Sequence, residues 1–461
     1  MSMTLTNLSR PNRSRARRRP FGWADLLGPL GIGTVVAVVF LWLHNQGLAS
    51  VYSGTDRAIG SLGLLTGLLS SDLMLLQVFL LARIPLVERA WGHDVLVHRH
   101  RLLGLWSFWL MLAHVALYAV ERWGRDGWAA VLAVFITDSW MLFATAGTLL
   151  IIGVVVTSIR WARRRLRYES WHLLHLYAYL GIGFAFPHQL ADGADFHGPI
   201  ALLFWWTLYL TALAAILTFR IGLPAWRSWY HRLRVAGVRT EAPGVVSVVV
   251  QGRRLDKLRT RSGQFFTWRF LGGPGWTRGH PYTVSAAPKP DHLRVTIQVV
   301  GDGSTRAAQL RPGTRVLVEG PYGTMTAQQR THPRMLLIAA GVGITPMRAL
   351  LEDTPYAPGD ATLIYRFRRR EHAIFINELN AIADRRGVDL FYLPGSRRAD
   401  DSWQPAGGHR DDTPALIDLV PDLADRDIYV CGPPAWNTTV RAALHRAGAH
   451  PTQIHSEDFG W

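Results

Sequence analysis

Along the first half of the chain, apolar residues come in long runs with no polar face. Six such stretches fall near 25–45, 62–82, 101–120, 134–159, 171–190 and 199–219. Each approaches the roughly 20 residues a helix needs to cross the hydrocarbon of a bilayer. The connections between them sort by charge: the N-terminal segment, the 83–100 and 160–170 links and the segment after Phe219 carry the arginines, whereas 46–61, 121–130 and 191–198 carry few basic residues and several acidic ones. Such an alternation predicts a multi-pass protein in the cell membrane with both termini on the cytoplasmic side. Buried helices of a large soluble protein would explain neither the number of runs nor the alternation.

The rhythm changes after Arg220. Trp226 to Arg234 reads as a basic connector at the membrane surface. Short β-rich runs at 245–250, 264–270, 293–300 and 315–319, separated by Gly and Pro turns, predict a small antiparallel barrel. Beyond it, strands at 335–340, 361–365, 388–393 and 427–430 alternate with helices near 346–352, 373–386 and 435–448, the pattern of a parallel α/β domain. The expected fold is thus a multidomain membrane protein. A basic tail (1–22), a six-helix transmembrane bundle (23–220), a linker (221–238), a cytoplasmic antiparallel β-barrel (239–328) and a parallel α/β domain (329–461) follow one another.

Composition narrows the function classes. Of 461 residues 49% are hydrophobic, and 50 basic against 33 acidic residues give a formal charge of +17. The excess would suit nucleic acid, but its distribution argues for a lipid bilayer as the partner. Arg10, Arg13, Arg15, Arg17, Arg18 and Arg19 precede the first apolar run, and Arg160, Arg163, Arg164, Arg165 and Arg167 follow the fourth. Basic clusters at span ends set topology and bind anionic lipid. The single cysteine, Cys431, excludes an internal disulfide, a CxxC centre and a cysteine-ligated iron–sulfur cluster. No cleavable signal peptide is expected, because the basic segment feeds a long apolar run without a small-residue cleavage pattern.

Histidines are the informative residues of the membrane half. His100 and His114 lie fourteen residues apart on the third run, and His175 and His188 thirteen apart on the fifth. At 1.5 Å per residue these separations are about 21 and 20 Å along a helix. Two helices offering imidazoles at matching depths can clamp two haems, one above the other, with depth pairing His100 with His175 and His114 with His188. Imidazoles in hydrocarbon are costly without such work. The angular fit is imperfect, since at 100° per residue His114 returns to within about 40° of His100 while His188 stands about 140° from His175. His98 and His172 are rival ligands at the cytoplasmic level.

Four further motifs lie in the second half. His280-Pro281-Tyr282-Thr283-Val284-Ser285 offers a polar donor, an aromatic plane and hydroxyls in an extended stretch, and Gly320-Pro321-Tyr322-Gly323 makes a tight turn with exposed amides. A strand ending at Ala340 runs into Gly341-Val-Gly343-Ile-Thr345-Pro346, where closely spaced glycines before a helix let backbone amides approach a pyrophosphate. Cys431-Gly432-Pro433-Pro434 caps the last predicted strand, at the edge where ligands bind in such sheets. At the end of the second α/β strand no acid stands ready for an NAD ribose. Arg366, Arg368, Arg369 and Arg370 follow Tyr365 instead, and Arg397 and Arg398 follow Gly395-Ser396. Guanidinium groups suit a 2′-phosphate, so NADPH is expected over NADH, with Arg397 and Arg368 as leading contacts.

The segments His100-Arg-Leu-Leu-Gly104 with His114, and Tyr168-Glu-Ser-Trp171-His-Leu-Leu-His175 with His188, resemble the ferric reductase and NADPH oxidase membrane family. That resemblance implies two b-type haems held by the span histidines, and favours His100 over His98 and His175 over His172. The C-terminal elements resemble the ferredoxin–NADP reductase superfamily, in the branch fused to such a membrane domain. This implies that His280, Pro281, Tyr282, Thr283 and Ser285 form the FAD site with Gly320 and Gly323. Tyr282 would lie along the flavin and Thr283 near its reactive nitrogen. Gly341, Gly343, Thr345 and Pro346 would shape the dinucleotide site, and Cys431, Gly432 and Pro433 would sit near the nicotinamide. Phe459 and Trp461 both qualify as the terminal aromatic that shields the flavin. The histidine at 280, where soluble members often carry arginine, marks the membrane-fused branch.

The function expected is an NAD(P)H-dependent flavocytochrome oxidoreductase, carrying electrons from NADPH through FAD and two haems to an acceptor at the outer face. Thr283 and Cys431 are the residues nearest the hydride chemistry. Oxygen would make the protein a superoxide-generating NADPH oxidase, and a ferric chelate would make it a ferric reductase. The alternative is a membrane electron-entry subunit serving a quinone or a partner protein.

Overall fold

The structure, a computed structural model, describes residues 23–166, 168–192, 198–273, 275–276, 278–408 and 411–457. Phe459, Trp461 and the arginines of the N-terminal tail lie outside the described residues. Internal contacts gather Ala24–Thr324 into one compact unit and Met325 onward into another.

The first unit opens with helices Leu27–His44, Thr55–Leu81, His93–Thr137, Ser139–Ser158, Tyr168–Asp192 and Pro199–Ala215. Five of the described helices are long and apolar enough to cross a membrane, the last of them counted from Pro199 to His231. Tyr168–Asp192 is long enough by its 25 residues, but its histidines and Gln189 dilute the apolar run. The expected break between the third and fourth runs moves. The third helix continues to Thr137 across Gly127, whose φ of 76° and ψ of 169° leave the helical region. The fourth begins at Ser139 because the Asp138 carboxylate accepts the amides of Trp140 and Met141, both at 2.9 Å, a side-chain N-cap. The last helix passes through a π-helical segment, Ile216–Gly222, into Leu223–His231.

Apolar side chains occupy both the centre and the outside of the bundle. Val38, Trp42, Leu68, Leu75, Val78, Trp205 and Leu208 pack at the centre, while Leu30, Ile32, Phe40, Ile200 and Leu203 stand outward and exposed. Helices Ser139–Ser158 and Tyr168–Asp192 meet backbone to backbone, since a Cβ on Gly147 would lie 2.7 Å from the Gly181 carbonyl oxygen.

Six strands complete this unit: β1 (Arg234–Ala242), β2 (Val245–Gln251), β3 (Phe265–Phe270), β4 (His280–Thr283), β5 (His292–Gln298) and β6 (Val316–Tyr322). They form two antiparallel three-stranded sheets, β1-β2-β5 and β4-β3-β6. Isolated bridges Arg234↔Arg315 and Val284↔Val295 join them. Alternating residues such as Val248, Val250, Phe266, Trp268, Val295 and Val318 fill the space between the sheets.

The second unit is a parallel sheet of β7 (Arg334–Ala340), β8 (Ala361–Phe367), β9 (Val388–Pro394), β10 (Arg426–Cys431) and β11 (Ile454–Ser456), in the order β11-β10-β7-β8-β9. Near-continuous burial of β7, β8 and β10 is the mark of strands covered on both faces. Helices Ile344–Asp353, Ile376–Arg386, Asp412–Leu419 and Pro434–Arg446 provide the cover.

Candidate functional site

In the helical part the four span histidines come together in two pairs. The ring centroids of His100 and His175 are 6.0 Å apart, and those of His114 and His188 6.4 Å. Two imidazoles sharing one metal ion, at about 2.0 Å per metal–nitrogen bond, place their centroids about 6 Å apart. His98 is exposed, and His172 leans against Trp171. Among the described residues no group of three or more His, Cys, Asp or Glu is arranged around a metal. The clusters are pairs, the number of protein ligands that a bis-histidine haem takes.

Hydrogen bonds fix the tautomers. His100 Nδ1 faces the Gln77 carbonyl at 3.2 Å and His114 Nδ1 faces the Gly63 carbonyl at 2.8 Å. A carbonyl only accepts, so each Nδ1 carries its proton and Nε2 keeps a lone pair. His175 Nδ1 stands 3.3 Å from the Ser158 hydroxyl, which already donates to the Val154 carbonyl at 2.7 Å and accepts from Trp171 Nε1 at 3.2 Å. It is therefore also the protonated nitrogen. Gly67 makes room for the second pair, because a Cβ there would lie 2.7 Å from His114 Nδ1.

Pro187 stands inside the helix one residue before His188. Proline donates no amide, so the i→i−4 bond is missing at that level and the helix is free to depart from regular phase. The next residue, Gln189, is clasped from two helices. Its Nε2 donates to Ser71 Oγ, and its Oε1 accepts from the Tyr209 hydroxyl, both at 2.8 Å.

On the sheets, the residues expected at the flavin lie along β4 and the turn after β6. The His280 and Tyr282 rings stack at 5.9 Å, and burial pushes the Tyr282 phenol up to about 12. Thr283 is buried and pairs with Phe265, while Pro281 pairs with Thr267. Gly320, at φ 129°, and Gly323, at φ 97°, adopt backbone that favours glycine. Ser285 is placed differently: its hydroxyl accepts from Thr296 Oγ1 at 2.8 Å, in a buried chain that reaches Ser247.

A cleft of about 290 Å³ beside His280 is lined by Phe270, Trp276, Arg278, Gly303 and Arg306 among others. Sequence reasoning missed Arg278, Gly303 and Arg306. The run Gly301-Asp-Gly303-Ser304-Thr305 after β5 is the signal that was available. Gly303 abuts the His280 imidazole so closely that a Cβ would overlap it.

In the second unit the expected dinucleotide residues gather at the carboxyl ends of β7 and β10, which pair with Cys431 opposite Ala339. Gly341 has φ 57°, and a Cβ on Gly343 would run into the Cys431 carbonyl, so this close approach requires glycine. Thr345 Oγ1 donates to the Val342 carbonyl at 2.9 Å, and Pro346 is buried in the helix that follows. Cys431 is buried, and Gly432 packs under the Trp436 ring, where a Cβ would lie 2.5 Å from Cε3. Pro433 precedes helix Pro434–Arg446 as its N-cap.

The arginines divide. Arg366, on β8, has Nε and Nη2 buried with no hydrogen-bond partner. Burial, with Arg397 and Arg368 nearby, holds its pKa below the usual arginine value. Arg368 is exposed. Arg397 is largely engaged: it donates to the Ser402 carbonyl at 2.7 Å, to Thr439 Oγ1 at 2.8 Å and to the Asp400 carbonyl. Of the three guanidiniums, Arg366 alone has buried nitrogens without an acceptor among the described residues.

Residues 66–186 match the family described as ferric reductase like transmembrane component, and residues 337–442 the oxidoreductase NAD-binding domain. The chain is 31% identical over 228 residues to the stachydrine N-demethylase reductase subunit Stc4 of Rhizobium meliloti (strain 1021), covering 48% of this chain and 64% of that protein. It is 27% identical over 245 residues to the glycine betaine monooxygenase reductase subunit of Chromohalobacter salexigens, covering 51% and 66%. The chain thus spans about two-thirds of the length of these curated relatives. Among solved structures, the FAD/NAD-binding domain of a nitric oxide dioxygenase from Vibrio cholerae is 22% identical with a TM-score of 0.41, covering 50% of this chain and 98% of that one.

Proposed function

We propose that this chain, which joins a ferric reductase-like transmembrane domain to a C-terminal FAD/NAD(P)H reductase module, is a membrane electron-entry protein that delivers electrons from NADPH to a quinone or a partner protein. When bound, FAD would convert the paired electrons of NADPH into single ones, and two b-type haems would carry these along the bundle. The chain's own work is placement. His100 with His175, and His114 with His188, would supply the axial nitrogens, with Gln77, Gly63 and Ser158 holding the opposite ring nitrogens. Two histidines at each level would hold the group and leave no protein position open for an acceptor to bind its iron.

Tyr282 and Thr283 on β4 would present the flavin, whose phosphates would face Arg278 and Arg306 across the adjoining cleft. Gly341 and Gly343 would admit the dinucleotide, and Arg366 with Arg368 would receive a 2′-phosphate. Cys431 would close the nicotinamide end. The observation that carries the reading is the pairing of four span histidines at 6.0 and 6.4 Å, with Nδ1 of three of them committed to acceptors. The printed names of the relatives, reductase subunits of a demethylase and a monooxygenase, support a partner acceptor.

A second reading, delivery to a ferric chelate or to oxygen, is favoured by the ferric reductase likeness of residues 66–186. The test is anaerobic reduction of the detergent-purified full chain by NADPH, followed by haem reoxidation on adding a water-soluble quinone, a ferric chelate or oxygen. Two haems per chain and preferential reoxidation by the quinone are expected. Rapid chelate reduction would move the assignment to a ferric reductase, and stoichiometric superoxide to an oxidase. A purified chain without haem would overturn the reading.

A further inference from the structure

Where the helices give way to the sheets, three arginines converge. Arg83 follows the end of helix Thr55–Leu81, Arg89 lies on the short helix Pro85–Trp91, and Arg227 lies on Leu223–His231. With Phe219, Leu223 and Pro224 they line a shallow cleft beside Gly320, Pro321 and Tyr322 of β6. Of the motif residues discussed above, Gly320, Pro321 and Tyr322 border it. We propose that this cleft binds the phosphate headgroup of an anionic membrane lipid.

Charge is the first argument. Arg83 has its counter-ion: Glu88 accepts from it at 3.0 Å, and the guanidinium covers the Tyr322 ring at 4.4 Å. Among the described residues neither Arg89 nor Arg227 has a carboxylate within 4.0 Å. Arg227 donates to the Gly320 carbonyl, which carries no charge. Burial, with Arg89 nearby, holds the Arg261 pKa low. Like charges gathered without a counter-ion repel, and a bound anion relieves that repulsion.

Depth is the second argument, and it selects the lipid. Trp226 and Trp229, on the helix that carries Arg227, are 52% and 69% exposed. Exposed indoles at the end of a span sit at the headgroup level. Leu217 and Ile221 in the preceding π segment are exposed too, on a surface suited to acyl chains. The guanidiniums therefore stand at phosphate depth. The apolar wall of Phe219, Leu223 and Pro224 suits the glycerol and first methylenes of a lipid, where a free phosphate would have no use for it. Basic pockets between helices at the membrane surface bind headgroups by this combination.

The inference stands independently of the haem and flavin assignments. Its test uses the full chain in nanodiscs of phosphatidylcholine with and without phosphatidylglycerol, read by native mass spectrometry for lipid retained after detergent transfer. Wild type should keep phosphatidylglycerol over phosphatidylcholine, and the R89Q/R227Q double variant should lose that retention by about tenfold or more, with flavin content unchanged. Equal retention in variant and wild type would overturn the proposal. So would loss of flavin in the variant, which would give the arginines to the cofactor, or displacement of the lipid by inorganic phosphate at equal concentration, which would make the site one for free anions. Should R227Q fail to fold, R89Q alone, at an exposed residue, should reduce retention several-fold, and no change there would overturn it equally.

Discussion

The histidine pairs and the arginine cluster at β8 solve opposite problems. Of the four paired imidazoles, His100, His114 and His175 each have one nitrogen committed within the protein, to Gln77, Gly63 or Ser158, and one left over, while His188 Nδ1 is buried without a hydrogen-bond partner. Arg366 has two buried nitrogens with no acceptor at all. A neutral donor atom in a membrane must be oriented before its ligand arrives, and half of it can be satisfied by the backbone. A cation that is to receive a mobile anion, as proposed for Arg366, is instead left short of acceptors, a cost that such a ligand would remove on binding. On that proposal one kind of site is finished mainly by the fold, and the other by its ligand.

The contrast can be broken first at His114. Replacing it with Ala should halve the haem content, measured as pyridine haemochrome per chain, and reduce delivery to an external acceptor to background while NADPH still reduces the flavin. Two retained bis-histidine spectra would remove His114 from the ligand set. Gly67→Val should approach the same result without touching a ligand, since even its Cβ would lie 2.7 Å from His114 Nδ1. A normal His114-level haem spectrum in that variant would show that the ring is not held as described.

Smaller effects sharpen the other side. Arg366→Gln should raise the KM for NADPH by roughly ten- to a hundredfold, the range for losing charge-assisted hydrogen bonds, and leave NADH nearly unchanged. Arg397→Gln should do less, because its guanidinium is already bonded to Ser402, Asp400 and Thr439. Equal effects of Arg397→Gln on NADPH and NADH would end its phosphate role. Smallest is Ser158→Ala. Losing the acceptor at His175 Nδ1 makes the ligand less basic and favours ferrous iron, so the potential at the His100–His175 level should rise by about 40 mV for a bond of about 1 kcal/mol. A potentiometric titration with no change at that level would place the Ser158 hydroxyl outside the site.

Much of the fold was legible because its signals are periodic or local. The apolar runs, the glycines at 341 and 343 and the histidine spacings all lie within one element each. The Asp138 cap, too, is readable from an acid placed just before Ser-Trp-Met. Partners contributed by distant elements were not legible. Gln77, Gly63 and Gly67 belong to a helix with no chemical motif, and only packing brings them to the imidazoles. Strand β11, three residues long, and helix Asp412–Leu419 lack enough pattern to be seen alone. Arg366 looked like one of a run of surface arginines until burial separated it from Arg368 and Arg370.

Length changes in helix Tyr168–Asp192 carry a phase penalty. Inserting one residue between His175 and Pro187 would advance everything beyond it by about 100°, swinging both His188 and the Gln189 clasp away from their partners together. Inserting it beyond Gln189 would leave both in register. The stretch from His175 to Gln189 therefore behaves as a ruler with a fixed number of divisions, and the segment after it as spare length.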